Sequence, residues 1–426
     1  MIRAITKPEL SGLYFAAILA VGYVAFPYFL NFYLKEDVYF IELAHIAIVS
    51  ALCVLFAFKF DFFDKASLPE VMRLRVDVNR FCFVVWLGFG AFVILAWSTA
   101  NDIPLVSAVR CQGAAELAHQ RETFLKARAG WEASLVYING IFVGAIVPYT
   151  IALMFLCRTK YRWLCLGLFF IYSVSFLEKA LFLRAAIPLF YIVARRDDGR
   201  LIPGLGIVAG MAAGMYLITL VSTNLCGEAP GQVVRSPAQQ AAPNVKTVRS
   251  EPWDPARYFA HGYIPKGPLD HVIWRSVAVP LFTAADSLAV FHEQFNGRPL
   301  LGATSTFVAG LLGETRVPFE RIVFESQWGQ NVTGTGSANS VFFTEAYVNF
   351  GWPGVIVFSL FVGGSLRWFA RSKDEAFRSL WMLYCSGLYS AGLIGLLLSN
   401  GFMLVMLFSL FSKFEVGRAG AEPASA

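Results

Sequence analysis

Charge is scarce in this chain: Asp, Glu, Lys and Arg make up 15% of its 426 residues, against about 25% in an ordinary soluble domain. Signature motifs are missing too. There is no Gly-x-x-x-x-Gly-Lys-Ser/Thr, no His-Glu-x-x-His and no paired-Asp motif that grips a metal and a sugar nucleotide. These absences argue against a P-loop ATPase, a zincin-type metalloprotease and a nucleotide-sugar transferase. The five histidines are scattered, and the seven cysteines form no C-x-x-C or metal spacing. No metal site or cofactor is therefore expected. Cys53, Cys82, Cys157, Cys165 and Cys385 lie in or beside apolar runs, where packing explains them. Cys111 and Cys226 fall between runs, and an oxidising compartment could join them. Helicase-like and DNA-binding motifs are absent. The net charge of +6 then fits basic loops at a membrane better than nucleic acid.

Long apolar runs are abundant. Hydrophobic residues make up 57%, Phe alone occurs 40 times and mean hydropathy is +0.58. Candidate spans cover 10–30, 39–58, 81–100, 136–156, 163–177, 180–194, 201–222, 350–369, 378–398 and 402–414. A crossing of about 30 Å takes roughly 20 helical residues, so 180–194 and 402–414 are short. The expected fold class is an all-α polytopic membrane protein with about ten segments, short half-passes among them. The first run follows Arg3 and Lys7, is too long for a signal peptide and lacks a cleavage site, so it reads as an uncleaved span. Gly204, Gly206 and Gly210 superficially suggest a dinucleotide loop. They fall inside a span, and Gly206, Gly210 and Gly214 are spaced for close helix packing.

Short basic stretches set the orientation. Lys59, Lys65, Arg73, Arg75 and Arg80 lie in one loop, and Arg158, Lys160 and Arg162 in another. Arg195, Arg196 and Arg200 follow in a third, and Arg371, Lys373 and Arg378 in a fourth. They alternate correctly if both termini are cytoplasmic. Three regions result. Residues 1–222 form an N-terminal bundle with an outer loop at 101–135, in which 114–129 is helical and suited to the membrane surface. Residues 223–349 form a large outer loop. Residues 350–426 hold the last segments and a short cytoplasmic tail. The large loop is mixed in charge, with nine basic and nine acidic residues over 223–340. Its part 227–255 is rich in Pro, Ala, Gln and Ser and reads as a flexible linker. Its part 270–349 is the candidate platform for a ligand. Residues 270–295 have helical periodicity, which would put His271, Arg275, Asp286 and Glu293 on one stripe unless Pro280 resets the register.

Several charged residues are candidates for binding. Glu178, Lys179 and Arg184 lie between two basic turns, where two half-passes would bring them to the outer interface. Charge at membrane depth persists only with pairing, water or ligand. A structural pair between Glu178 and Arg184 or Lys179 accounts for them equally well. Arg275, Arg298, Arg316 and Arg321 stand in the large loop, and guanidinium forks match phosphate oxygens bidentately. Glu42 and His45 fit simple placement at the interface.

The most informative segment runs Gly334-Thr335-Gly336-Ser337-Ala338-Asn339-Ser340-Val341-Phe342-Phe343-Thr344-Glu345-Ala346-Tyr347-Val348-Asn349-Phe350-Gly351-Trp352-Pro353-Gly354. It is polar and glycine-rich, then aromatic, then apolar. Glycines there allow a ligand close to backbone. The structural alternative is a helix start, capped by Ser337 or Asn339, with Glu345 near its positive end.

This segment resembles the last outer loop and following span of bacterial oligosaccharide repeat-unit polymerases of the O-antigen (Wzy) type. The similarity rests on Glu345, Tyr347, Asn349, Phe350, Gly351 and Gly354. The related O-antigen ligases carry a His-Asn pair upstream; Ala338-Asn339 stands here, which argues against a ligase. The resemblance implies a polymerase/ligase architecture of the GT-C-B kind in the bacterial inner membrane. It implies metal-independent transfer of a glycan from undecaprenyl pyrophosphate to a second lipid-linked repeat unit, with a flippase and a chain-length regulator as companions. Glu345, Glu325, Arg275 and Arg298 would serve catalysis, with His292 and Asp286 as reserve bases. Lys179, Arg184, Arg316, Arg321, His292, Asn339, Tyr347 and Asn349 would bind substrate. Rival readings are a polyprenyl-phosphate-dependent glycosyltransferase using Glu36 or Asp37, and a transporter with broken helices at mid-depth.

Overall fold

The computed structural model describes residues 7–34, 38–60, 74–110, 114–177, 179–196, 273–329 and 336–415, together with positions 206, 210, 213, 214, 270 and 331. In chain order the helices begin with α1 (Ser11–Ala20), α2 (Phe26–Leu34) and α3 (Val38–Lys59). A strand β1 (Leu74–Asp77) precedes α4 (Val78–Ser98), α5 (Pro104–Val109) and α6 (Ala114–Lys126). Then come α7 (Ser134–Ile141), α8 (Val147–Leu156), α9 (Arg162–Ser175) and α10 (Lys179–Arg196). The segment after the long undescribed stretch holds α11 (Val279–Phe295), α12 (Thr306–Leu312) and α13 (Phe319–Trp328). The chain continues with α14 (Phe342–Arg371), α15 (Glu375–Ser379), α16 (Trp381–Ser390), α17 (Leu393–Leu398), α18 (Phe402–Phe411) and strand β2 (Ser412–Glu415).

Among the described residues, five helices are long and apolar enough to cross a membrane: Pro8–Phe32, Tyr39–Lys59, Val78–Ser98, Gly130–Leu156 and Phe342–Arg371. Two of these run through π turns. The turns Val21–Ala25 and Phe142–Ile146, and a third at Trp274–Ala278, each end two residues before a proline: Pro27, Pro148 and Pro280. Proline removes an N–H and pushes against the carbonyl four residues back. The wider turn absorbs that clash without ending the helix. It also resets the register ahead of α11. The expected stripe over 270–295 fails there: Arg275 and Glu293 are exposed, whereas Asp286 is buried and accepts from the Gln327 amide at 2.5 Å.

α3 and α14 form the central pair and run parallel. The Ser359 hydroxyl donates to that of Ser50 at 2.8 Å, and Gly363 leaves no room for a Cβ against the Val54 carbonyl. Nη1 of Arg367 then caps the Phe58 and Lys59 carbonyls at 2.6 and 2.9 Å. These three contacts keep one register, so small residues hold the two helices close along their length. Exposed Trp131 and Tyr137 mark one end of Gly130–Leu156, and exposed Tyr161 and Trp163 follow the other, as in the aromatic belts of a bilayer. Lys59, Arg158 and Arg371 share the second, basic end.

The last two expected crossings, 378–398 and 402–414, are corrected. α16 has ten residues, about 15 Å at 1.5 Å per residue. It stops at Ala391 and Gly392, whose backbone is extended. α17 adds six residues, and the turn Ser399–Gly401 sends α18 back to the basic end. There β2 pairs in parallel with β1, Leu74 opposite Ser412 and Asp77 opposite Glu415. This ladder is the one sheet among the described residues. The carbonyls of Ser399 and Asn400 abut Gly140 and Gly144, near the middle of Gly130–Leu156. α16 to α18 therefore form a hairpin that enters about halfway and returns. Irregular backbone at that depth persists only inside protein or beside a cavity. Here the Tyr23 hydroxyl donates to the Tyr389 carbonyl at 2.6 Å, at the end of α16.

The expected span 201–222 apart from positions 206, 210, 213 and 214, the linker 227–255, and Glu36, Asp37, Cys111, Glu178, Cys226 and His271 lie outside the described residues. Of the spaced glycines, a Cβ at Gly214 would meet Phe170, while no described residue lies within 4 Å of one at Gly206 or Gly210.

Candidate functional site

α14 begins after Val341 with no side-chain cap, so the expected capping by Ser337 or Asn339 does not occur. It breaks at Gly351, whose φ of 62° and ψ of −153° suit glycine alone. Two residues later, Pro353 has no N–H to offer the Asn349 carbonyl. The chain following α11 meets both freed carbonyls: Leu300 N–H donates to Val348 O at 3.0 Å, and Leu301 N–H to Asn349 O at 2.8 Å. Asn349 is fully buried. Its amide donates to the Glu345 carbonyl at 2.8 Å and to the Thr304 hydroxyl at 2.9 Å. The half-helix Phe342–Phe350 is thereby fixed by its own break.

Glu345 stands on this half-helix and is 7% exposed. Its carboxylate lies against Gly392, in the broken stretch of the hairpin, and accepts the Ile394 N–H at 3.4 Å. Gly392 matters because it has no side chain: a Cβ there would stand 2.6 Å from the carboxyl carbon.

Glu345 lines a cavity of about 680 Å³. Its walls are Tyr137 and Ile141 of α7, Thr304–Phe307, Arg316, Glu320 and Ser337–Ser340, completed by Ala391, Gly392, Ile394, Gly395, Leu398 and Ser399. It thus spans from the end opposite the basic loops down to the hairpin. Arg316 is exposed, and its Nε–H reaches the Thr304 carbonyl at 3.4 Å. Burial pushes the Glu320 carboxyl above its ordinary value, while a backbone hydrogen bond and the Arg316 charge draw it down. The Ser340 hydroxyl is buried without a partner among the described residues. No three of the described His, Cys, Asp and Glu residues gather in a metal-binding group.

Of the expected site residues, Glu345, Arg316 and Asn339 meet in this cavity, and Asn349 braces it from behind. The others are elsewhere. Arg275 is exposed, over the Trp274 ring at 5.5 Å. Arg298 is exposed beyond α11. Arg321 and Glu325 pair with each other at 2.8 Å on an exposed face of α13. His292 and Tyr347 both bind Glu42, at 2.9 and 2.8 Å, forming a separate cluster that joins α3, α11 and α14. Arg184 is half-buried in α10 and outside the cavity lining. Lys179 opens α10, and its side chain is outside the described set. Sequence reasoning missed Glu320 and Gly392. Glu320 is four residues after Arg316, and Gly392 ends a Ser-Ala-Gly triplet inside an apolar run. Those were the only signals. Compared with known families, curated proteins and solved structures, the chain matches none.

Proposed function

We propose that the chain is a membrane glycosyltransferase that joins lipid-linked oligosaccharide repeat units into a longer glycan. The observation that carries this reading is one cavity, opposite the basic loops, that holds a buried carboxylate, an arginine and several hydroxyls. In the proposed step an acceptor hydroxyl oxygen attacks the anomeric carbon of the donor. Its proton passes to the Glu345 carboxylate, acting as base. The anomeric C–O bond breaks, and its electron pair leaves with the lipid pyrophosphate. Arg316 offsets that developing charge. Glu320 and Asn339 bind sugar hydroxyls. The donor is undecaprenyl pyrophosphate-linked, both termini are cytoplasmic, and the site faces out from the bacterial inner membrane. This finer part rests on the resemblance of residues 345–354 and on the basic loops. Ala338, a cavity residue, stands where the similar ligases have histidine, which favours polymerase over ligase.

Cells lacking the chain should accumulate single repeat units on lipid, and Glu345→Gln should reproduce that defect with normal protein levels. Unchanged long glycans in either case would refute the reading. The half-depth hairpin favours one other reading, a transporter with discontinuous helices. In that case the deletion strain would hold its lipid-linked units on the cytoplasmic face, out of reach of an added glycosidase.

A further inference from the structure

α12 is an exposed helix with an apolar face. Of its seven residues only Ala309 is buried, while Phe307, Leu311 and Leu312 are 58%, 71% and 57% exposed. Leu301, just ahead of it, is 64% exposed. No charged residue occurs from Pro299 to Gly313. The helix is nevertheless well formed. Ser305 accepts the Val308 N–H at 3.5 Å, and Gly313 ends the helix at φ 69°. The Glu314 N–H returns to the Ala309 carbonyl at 2.9 Å. Gly310 and Gly313 have nothing within 4 Å of an added Cβ, so no described residue covers this side.

Its position indicates what does. Leu300 and Leu301 are bonded to the carbonyls freed at the α14 break, and Gly302 packs beside the Phe350 ring. Immediately past that break, Trp352, Ile356 and Val357 are exposed on a helix long enough to cross a membrane. Twenty residues remain from Trp352 to Arg371, enough for about 30 Å of hydrocarbon. The break therefore stands at the bilayer surface, and α12 is tied to it. α12 is therefore held at the level of that break, and Glu314 and Arg316 follow it as interfacial charges.

We infer that α12 lies in the lipid interface, with Phe307, Leu311 and Leu312 immersed in the bilayer. Thr306 and Phe307 also line the cavity. The bilayer thus forms part of the cavity's rim, and a lipid-borne ligand could reach it from the membrane plane. The placement of α12 rests on the membrane-spanning character of α14 and stands apart from the proposed reaction.

The test uses the full chain in phosphatidylethanolamine–phosphatidylglycerol nanodiscs. A diazirine amino acid is placed at Leu311, at Leu312 or at Leu301, and for reference at the exposed Arg321 on α13. Mass spectrometry identifies the adducts after irradiation. Phospholipid adducts should dominate at 301, 311 and 312 and be lost at 321. Adducts of water alone at 311 and 312 would overturn the inference. So would a covalent dimer, which would mean that a second copy covers this face.

Discussion

Replacing Gly392 by alanine isolates the placement of Glu345 from everything else. The Gly392 backbone, at φ −69° and ψ 149°, is open to any residue, so alanine brings no backbone strain. Its Cβ would stand 2.6 Å from Cδ of Glu345 and 2.7 Å from each carboxylate oxygen. Ordinary contact begins at 3.4 Å, so the oxygens must retreat by about 0.7 Å, the difference between those distances. A misplacement near 1 Å at a reacting centre can cost about a hundredfold in rate. If Glu345 is the base of the proposed transfer, Gly392→Ala should slow that transfer roughly tenfold to a hundredfold, with the protein still folded. Gly90→Ala is the control: the same change in a membrane helix, with nothing within 4 Å of the new methyl. The assay follows chain growth on lipid-linked repeat units in membrane vesicles, with thermal unfolding in detergent alongside. Full activity in Gly392→Ala, or an equal loss in the control, would refute the placement of Glu345 as base.

Gly351→Ala meets no obstacle nearer than 3.9 Å, so its cost is conformational, about 1–3 kcal/mol, and should appear as a lower melting temperature. Asn349→Ala strips a buried bracket of three hydrogen bonds; a loss of about 1–3 kcal/mol is expected, and an unchanged melt would deny it that role. Gly144→Ala drives a methyl into the Asn400 backbone, so the hairpin should be displaced and the yield of folded protein should fall. Glu320 supplies a pH signature. Its folded carboxyl binds protons more tightly than the unfolded one, because burial outweighs Arg316. Stability should therefore decline as pH rises from the ordinary carboxyl value to the raised one. Glu320→Gln should flatten that slope in melts taken across the range, and an identical slope would count against a raised Glu320 carboxyl.

Hydropathy found the long crossings because their apolar residues are continuous: 39–58 and 136–156 fall within long apolar helices of the structure, and 81–100 overlaps a third, Val78–Ser98. It could not find the hairpin. The run 378–398 is also apolar, and its break at Ala391–Gly392 becomes tolerable only beside Tyr23 and Glu345, hundreds or tens of residues away. The same limit explains why the four arginines do not gather in one place. Arg275, Arg298, Arg316 and Arg321 look alike in sequence, and the break at Gly351 helps select Arg316 by drawing the chain around Thr304 against it. Glu320 was hidden for a related reason. α13 carries three acidic or basic residues in ten, and only packing against Ala338 distinguishes the one turned to the cavity. Glu345 and Asn349 were legible because motif and break coincide.

The parallel pairing of β1 with β2 has a consequence for assembly. Its partners are 338 positions apart, from Leu74 to Ser412, and contacts this remote form late. During synthesis, β1 must wait unpaired until nearly every helix has emerged. The ladder is therefore a latch that closes last and secures the returning arm of the hairpin. A chain cut short before Ser412 would insert most of its helices and still lack that latch.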